Sequence, residues 1–319
     1  MRLIALTVIA VTTIAGPATA ATYLALGDSI TFGETDLSYV QSFGDRGYVS
    51  QFADTIASRN GGIRPDVVNL AIDGETSASF FTNFGRTPPV VGRDDAPLQL
   101  ENLNYTTTAV SQSALFASQV AAAQAAGSPI ETVSITLGFN DLAALSSLPP
   151  ATALASIPST LETYRSNYSA VLTQVRGLLP NAGLYLLGYY NPFPADPASP
   201  AAPIFNAGGM ALNDIIASLA AEYHGAYVDT ATPFVGHEAA FTYLDEQPHG
   251  SSVADPFGGV LPIGNVHPNR AGYTAIAEAV AGASSGMGAV PEPASWMMLV
   301  AGFGLVGGMK RARQRTVAA

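Results

Sequence analysis

Short apolar runs alternate with longer alanine-rich stretches along most of the chain. The runs are TYLAL (Thr22–Leu26), VVNLA (Val67–Ala71), TVSITL (Thr132–Leu137), LYLLGYY (Leu184–Tyr190) and AYVD (Ala226–Asp229). Near-continuous apolar runs of this length suit strands buried on both faces of a parallel sheet. The segments between them read as helices, at about 48–58, 109–126, 153–179, 206–223 and 269–283. This alternation predicts a doubly wound α/β domain whose mostly parallel sheet has five strands and a helical layer on each face. Three irregular stretches interrupt it: Asn83–Tyr105, Asn191–Pro203 and His237–Asn265. Long loops that follow strands in such a sheet are candidate walls or lids of a ligand site.

Both ends depart from the pattern. Arg2 precedes an uncharged run from Leu3 to Ala15, then Gly16-Pro17, then Ala18-Thr19-Ala20. That is the three-part form of a secretory signal cut after small residues, so residues 1–20 are expected to be removed on export. At the other end an uncharged segment, Ala294–Met309, is followed by Lys310, Arg311, Arg313 and Arg315. Its 16 residues fall short of the ~20 that cross a bilayer untilted. The basic cluster behind it fits a flank that stays in the cytoplasm. With Pro291-Glu292-Pro293 in front, this end resembles the PEP-CTERM sorting tail. The resemblance implies recognition and cleavage by a membrane exosortase in a Gram-negative bacterium, and delivery to the envelope, cell surface or exterior. The plain alternative is a single-helix anchor. The expected organisation is signal 1–20, main domain 21–284, linker 285–293 and tail 294–319.

Charge supports the trimming. The chain has 13 Lys and Arg against 24 Asp and Glu. Setting aside Arg2, the four tail cations and Glu292 leaves 8 arginines against 23 acids, a net of −15. Such a surface repels nucleic acid and anionic lipid. Cysteine is absent, which excludes disulfides and thiolate metal sites. A domain of this size can bury enough core to stand without covalent staples.

Four polar pieces follow predicted strands or precede the last helix: Gly27-Asp28-Ser29, Gly74 in NLAIDGETS, GFND (Gly138–Asp141) and His267 in VHPNRAGY. A serine hydroxyl becomes a useful nucleophile when an adjacent base takes its proton, and histidine is the base best matched to neutral pH. The tetrahedral intermediate then needs donors aimed at its oxyanion, and backbone N–H groups or an Asn amide supply them. All four pieces fall at the carboxyl edge of one sheet. In order and spacing they resemble the SGNH/GDSL hydrolases over Thr22–Ala283, and LLGYYNPFP (Leu186–Pro194) also resembles what members carry after the fourth strand. The resemblance implies a flavodoxin-like fold and a secreted esterase or lipase that works through an acyl-serine without metal or cofactor. Carried over by position, Ser29 is the nucleophile, His267 the general base, and Ser29, Gly74 and Asn140 the oxyanion donors. Asp28 and Asp141 are expected to hold loops by hydrogen bonds. The substrate implied is a small-molecule, lipid or polysaccharide ester, with no nucleic acid partner.

One position departs from the family. An Asp usually stands three residues before the histidine, and here that residue is Gly264. Three readings stay open: a Ser-His dyad with a backbone carbonyl on the imidazole, an acid (Asp255 or Asp245) from the preceding loop, or a cleft turned to binding glycan or matrix. An acetyltransferase acting on exopolysaccharide is a further alternative. His224 is expected to close a helix end. His237 and His249 are expected to be loop residues, although Glu238, Asp245 and Glu246 nearby leave a metal site conceivable.

Overall fold

The computed structural model describes residues 20–33, 44–82, 110–244 and 266–286. The expected signal, the loop 83–105, most of the loop 237–265, the linker and the tail therefore lie largely or wholly outside the described residues. Except for 284–286, the described residues belong to one compact unit, Met1–Ala283.

The elements run β1 (Thr22–Gly27), α1 (Ser29–Phe32), α2 (Gly47–Arg59), β2 (Asp66–Asn69), α3 (Gln112–Ala126), β3 (Ile130–Thr136) and α4 (Phe139–Ala143). They continue with α5 (Pro150–Leu178), β4 (Gly183–Leu187), α6 (Ala202–Glu222), β5 (Ala226–Val228), α7 (Glu238–Phe241) and α8 (Arg270–Gly286). Five strands pair in the order β2-β1-β3-β4-β5, all parallel. This is the flavodoxin-like order, which reverses direction beside β1 and leaves a crevice at the carboxyl ends of β1 and β3. The helices that connect these parallel strands cover both faces of the sheet. On one face Arg59 of α2 donates to the Ala281 carbonyl of α8 at 2.9 Å. On the other, Ser113 of α3 donates to Gln174 of α5 at 2.8 Å, and Arg165 of α5 pairs with Glu222 of α6 at 3.1 Å.

Element limits differ from the sequence reading where side chains intervene. The fourth strand stops at Leu187, short of the expected Tyr190. There the Asn213 amide accepts from Tyr189 N–H and donates to Tyr189 C=O, both at 2.8 Å, in place of a further ladder step. The second strand is shorter than expected, ending at Asn69 rather than Ala71. The Leu70 and Ile72 N–H groups still donate to the Ala25 and Gly27 carbonyls of β1, while Asn69 Oδ1 accepts from the Ala71 N–H. Helix α3 begins at Gln112 because Ser111 caps it, accepting from Ala114 N–H. Helices α5 and α6 begin earlier than expected, with proline in the first turn of each, where its missing N–H costs nothing.

The main core is aromatic and aliphatic, with Tyr23, Tyr48, Phe52, Phe116, Tyr164, Tyr168 and Tyr273 fully enclosed.

Candidate active site

Strand β1 ends in Gly27, whose φ is +126° and whose missing Cβ would lie 1.9 Å from the Thr136 carbonyl. Only glycine allows this approach of β1 to β3. The chain then turns, Asp28 caps α1 by accepting from Ile30 N–H at 3.1 Å, and Ser29 opens the helix. Ser29 is buried, 7% exposed.

The second contributor arrives from 238 residues further along. Tyr190 donates to the Val266 carbonyl at 2.7 Å, Tyr243 N–H donates to the His267 carbonyl at 3.1 Å, and Thr242 bridges Pro268. Asn269 caps α8, accepting from Gly272 N–H, while its amide donates to the Ala240 and Thr242 carbonyls. The segment so held brings His267 Nε2 to 2.8 Å from Ser29 Oγ.

Gly74 sits in a turn with φ +73° after β2. Asn140, second residue of α4, donates one amide hydrogen to the neighbouring Glu75 carbonyl at 2.9 Å. The backbone N–H groups of Ser29 and Gly74 make no hydrogen bond among the described residues. Ser29 and His267 are thus in contact, and Asn140 meets the turn that carries Gly74.

Both flanking acids hold loops, as expected from the sequence. Asp141 accepts from Ser77 N–H at 3.0 Å and Ser77 Oγ at 2.5 Å, and burial raises its carboxyl above the usual value. Asp28 accepts from Tyr189 Oη at 2.5 Å and Thr136 Oγ1 at 2.7 Å, and burial pushes it up to about 7.

The sequence reading missed Gln112. Its amide accepts from Gly27 N–H at 2.7 Å, donates to Gly27 C=O at 2.9 Å and donates to Glu75 at 3.0 Å. It ties the end of β1 to the Gly74 turn, and a Gln at the start of a helix gives no sequence signal of that. Glu75 also accepts from Ser79 Oγ.

Other candidates resolve simply. His224 takes a left-handed φ of +52° and closes α6 through its backbone, its carbonyl accepting from Arg176 at 2.7 Å. His237 precedes α7 and stacks on Phe241, centroids 5.1 Å apart. No group of three metal-ligating side chains occurs among the described residues. Asp245, His249, Asp255 and Gly264 lie outside those residues.

A five-stranded parallel α/β sheet with a serine and a histidine in contact at its carboxyl edge defines a hydrolase class. The chain belongs to the GDSL-like lipase/acylhydrolase family, whose model matches residues 25–275. Residues 289–314 match the PEP-CTERM protein-sorting motif. Among solved structures the chain is similar to the lipase Lip_vut3 from a goat rumen metagenome, with 18% identity and TM-score 0.55, over 83% of this chain and 97% of that one. Two others are phospholipase A1 from Streptomyces albidoflavus NA297 (20% identity) and the extracellular lipase of Streptomyces rimosus (19%). Each has TM-score 0.51 and covers 83% of this chain and all of the other. At these identities the likeness is one of fold. No curated protein sequence matches the chain.

Proposed function

We propose that the protein is an exported serine esterase or lipase in which Ser29 is the nucleophile and His267 the general base. The observation that carries this is the 2.8 Å contact between Ser29 Oγ and His267 Nε2. His267 takes the Ser29 proton as Oγ attacks the ester carbonyl, forming the tetrahedral intermediate. The Ser29 and Gly74 N–H groups and the second Asn140 amide hydrogen stabilise its oxyanion. The imidazolium then protonates the departing alkoxide, leaving acyl-Ser29. Water, activated by the same imidazole, releases the acid and restores the hydroxyl.

Phe139, beside Asn140, is only part-buried and packs on Phe205 at 4.3 Å, with Phe193 behind. This apolar surface favours esters with a hydrocarbon acyl group. The sorting motif supports exosortase processing and an envelope, surface or extracellular location in a Gram-negative cell.

The test is hydrolysis of p-nitrophenyl acetate and butyrate by wild type and Ser29→Ala. The expected outcome is a loss of at least ~10³-fold in kcat. Equal hydrolysis by the two proteins removes Ser29 from the chemistry.

A further inference from the structure

Six side chains, each 0–1% exposed, run through the interior toward Ser29 as one line of hydrogen bonds. Tyr23 Oη is 2.7 Å from Ser134 Oγ, which is 3.0 Å from Tyr48 Oη. Tyr48 Oη is 2.7 Å from Thr31 Oγ1, which is 2.8 Å from Thr136 Oγ1. Thr136 Oγ1 donates to Asp28 Oδ1 at 2.7 Å.

Proton counting gives this line a direction. An ionised carboxylate only accepts, and each hydroxyl has a single proton to give. Because Thr136 gives its proton to Asp28, Thr31 must donate to Thr136. By the same step Tyr48 donates to Thr31, Ser134 to Tyr48, and Tyr23 to Ser134. All five O–H bonds then point at Asp28, and each polarises the next. Tyr189 Oη donates to the other carboxylate oxygen from the end of β4, and Ile30 N–H donates from α1.

We infer that Asp28 is a positioning residue for Ser29, its buried carboxylate held by this one-way hydroxyl line and by Tyr189 so that the Ser29 turn keeps Oγ against His267. The inference rests on the reading of Ser29 as nucleophile. Ser29 is pinned from both sides by the residue before it. The Asp28 N–H donates to the Thr136 carbonyl at 3.0 Å, and the Asp28 side chain holds the N–H of Ile30, the residue after Ser29.

A proton on the carboxyl breaks the arrangement, because the new O–H faces groups that are already donating. One of those bonds must reverse or open. Burial brings this protonation up to about 7. The titratable groups around the carboxyl are Tyr189 and Tyr190 after β4, Tyr48 of α2, Tyr164 and Tyr168 of α5, Asp73 after β2, and His267 across Ser29. Burial raises all five tyrosines, so they stay neutral donors, and Asp73 raises Asp28 further.

The test measures kcat and KM for p-nitrophenyl butyrate between about pH 5 and about pH 9, using full-length wild type, Asp28→Asn, Tyr189→Phe, Thr136→Val and Thr136→Ser. At the alkaline end Asp28→Asn is expected to lose ~10- to 100-fold in kcat with KM little changed. Its profile should also lack one acid-side protonation that wild type shows. Tyr189→Phe and Thr136→Val each remove a donor to the ionised form, so they should move that step to higher pH, and Thr136→Ser should return it. Should Asp28→Asn not fold, these last three variants decide the matter. A folded Asp28→Asn with wild-type kcat and an unchanged acid limb overturns the inference while wild-type activity leaves the nucleophile reading standing. An inert wild type sinks both.

Discussion

At Asp28 the fold holds a carboxyl group raised from its ordinary 3.8 to about 7, with desolvation as the largest cause. The native state then binds this proton more tightly than the unfolded chain does. The associated stability is fully present below the unfolded value and is lost as pH rises through about 7. For a fully buried group the difference is at most ~4 kcal/mol. Asp28→Asn removes that slope. Its melting temperature relative to wild type is therefore expected to rise between about pH 5 and about pH 8, even as activity falls, and thermal melts across that range check it. A relative melting temperature that stays flat across that range would contradict a raised Asp28 carboxyl. Gly-Asp-Ser, the GFND acid and the histidine were legible in the sequence because each is a residue type the chemistry requires. Tyr189 was not, since an aromatic residue after an apolar run reads as more strand.

Side-chain amides end two of the strands, and this is where the reading of elements and the structure part. Gln112 closes β1 and Asn213 closes β4 by bonding both backbone groups of one residue. Apolar periodicity finds where a strand lies but carries no information on which distant amide replaces its next partner. Gln112→Leu leaves the Gly27 N–H and the Glu75 carboxylate without this partner in a dry site. The expected cost is ~1–3 kcal/mol in denaturant unfolding, with a fall in kcat as the Gly74 turn loosens. The His267 segment depends on equally close packing, because a Cβ on Gly272 would lie 2.1 Å from the Phe241 carbonyl. Gly272→Ala must push α8 from the strap at 241–243. It is expected to lower the melting temperature and to reduce esterase activity well beyond the loss of stability.

Over the whole molecule, the sheet order β2-β1-β3-β4-β5 places the ends of β1 and β3 at the point where the winding reverses. Ser29 and Asn140 follow those two strands. The alternation predicts five mostly parallel strands, while the flavodoxin-like arrangement is what the resemblance carried by the motifs implies. Convergence of residues 238 positions apart was not visible in any local pattern. The sorting motif at 289–314 follows α8 in the sequence. Deleting residues 291–319 is expected to leave p-nitrophenyl butyrate hydrolysis unchanged per molecule while altering the fraction that reaches the cell surface, measured by fractionation.

The proposal that Ser29 and His267 form an activated pair is tested most directly by a fluorophosphonate probe with intact-mass and peptide analysis. Wild type is expected to take up one probe, on Ser29, and Ser29→Ala and His267→Ala to take up none on any comparable timescale. A wild-type protein that stays unlabelled while properly folded, or that carries the probe on another residue, contradicts the account.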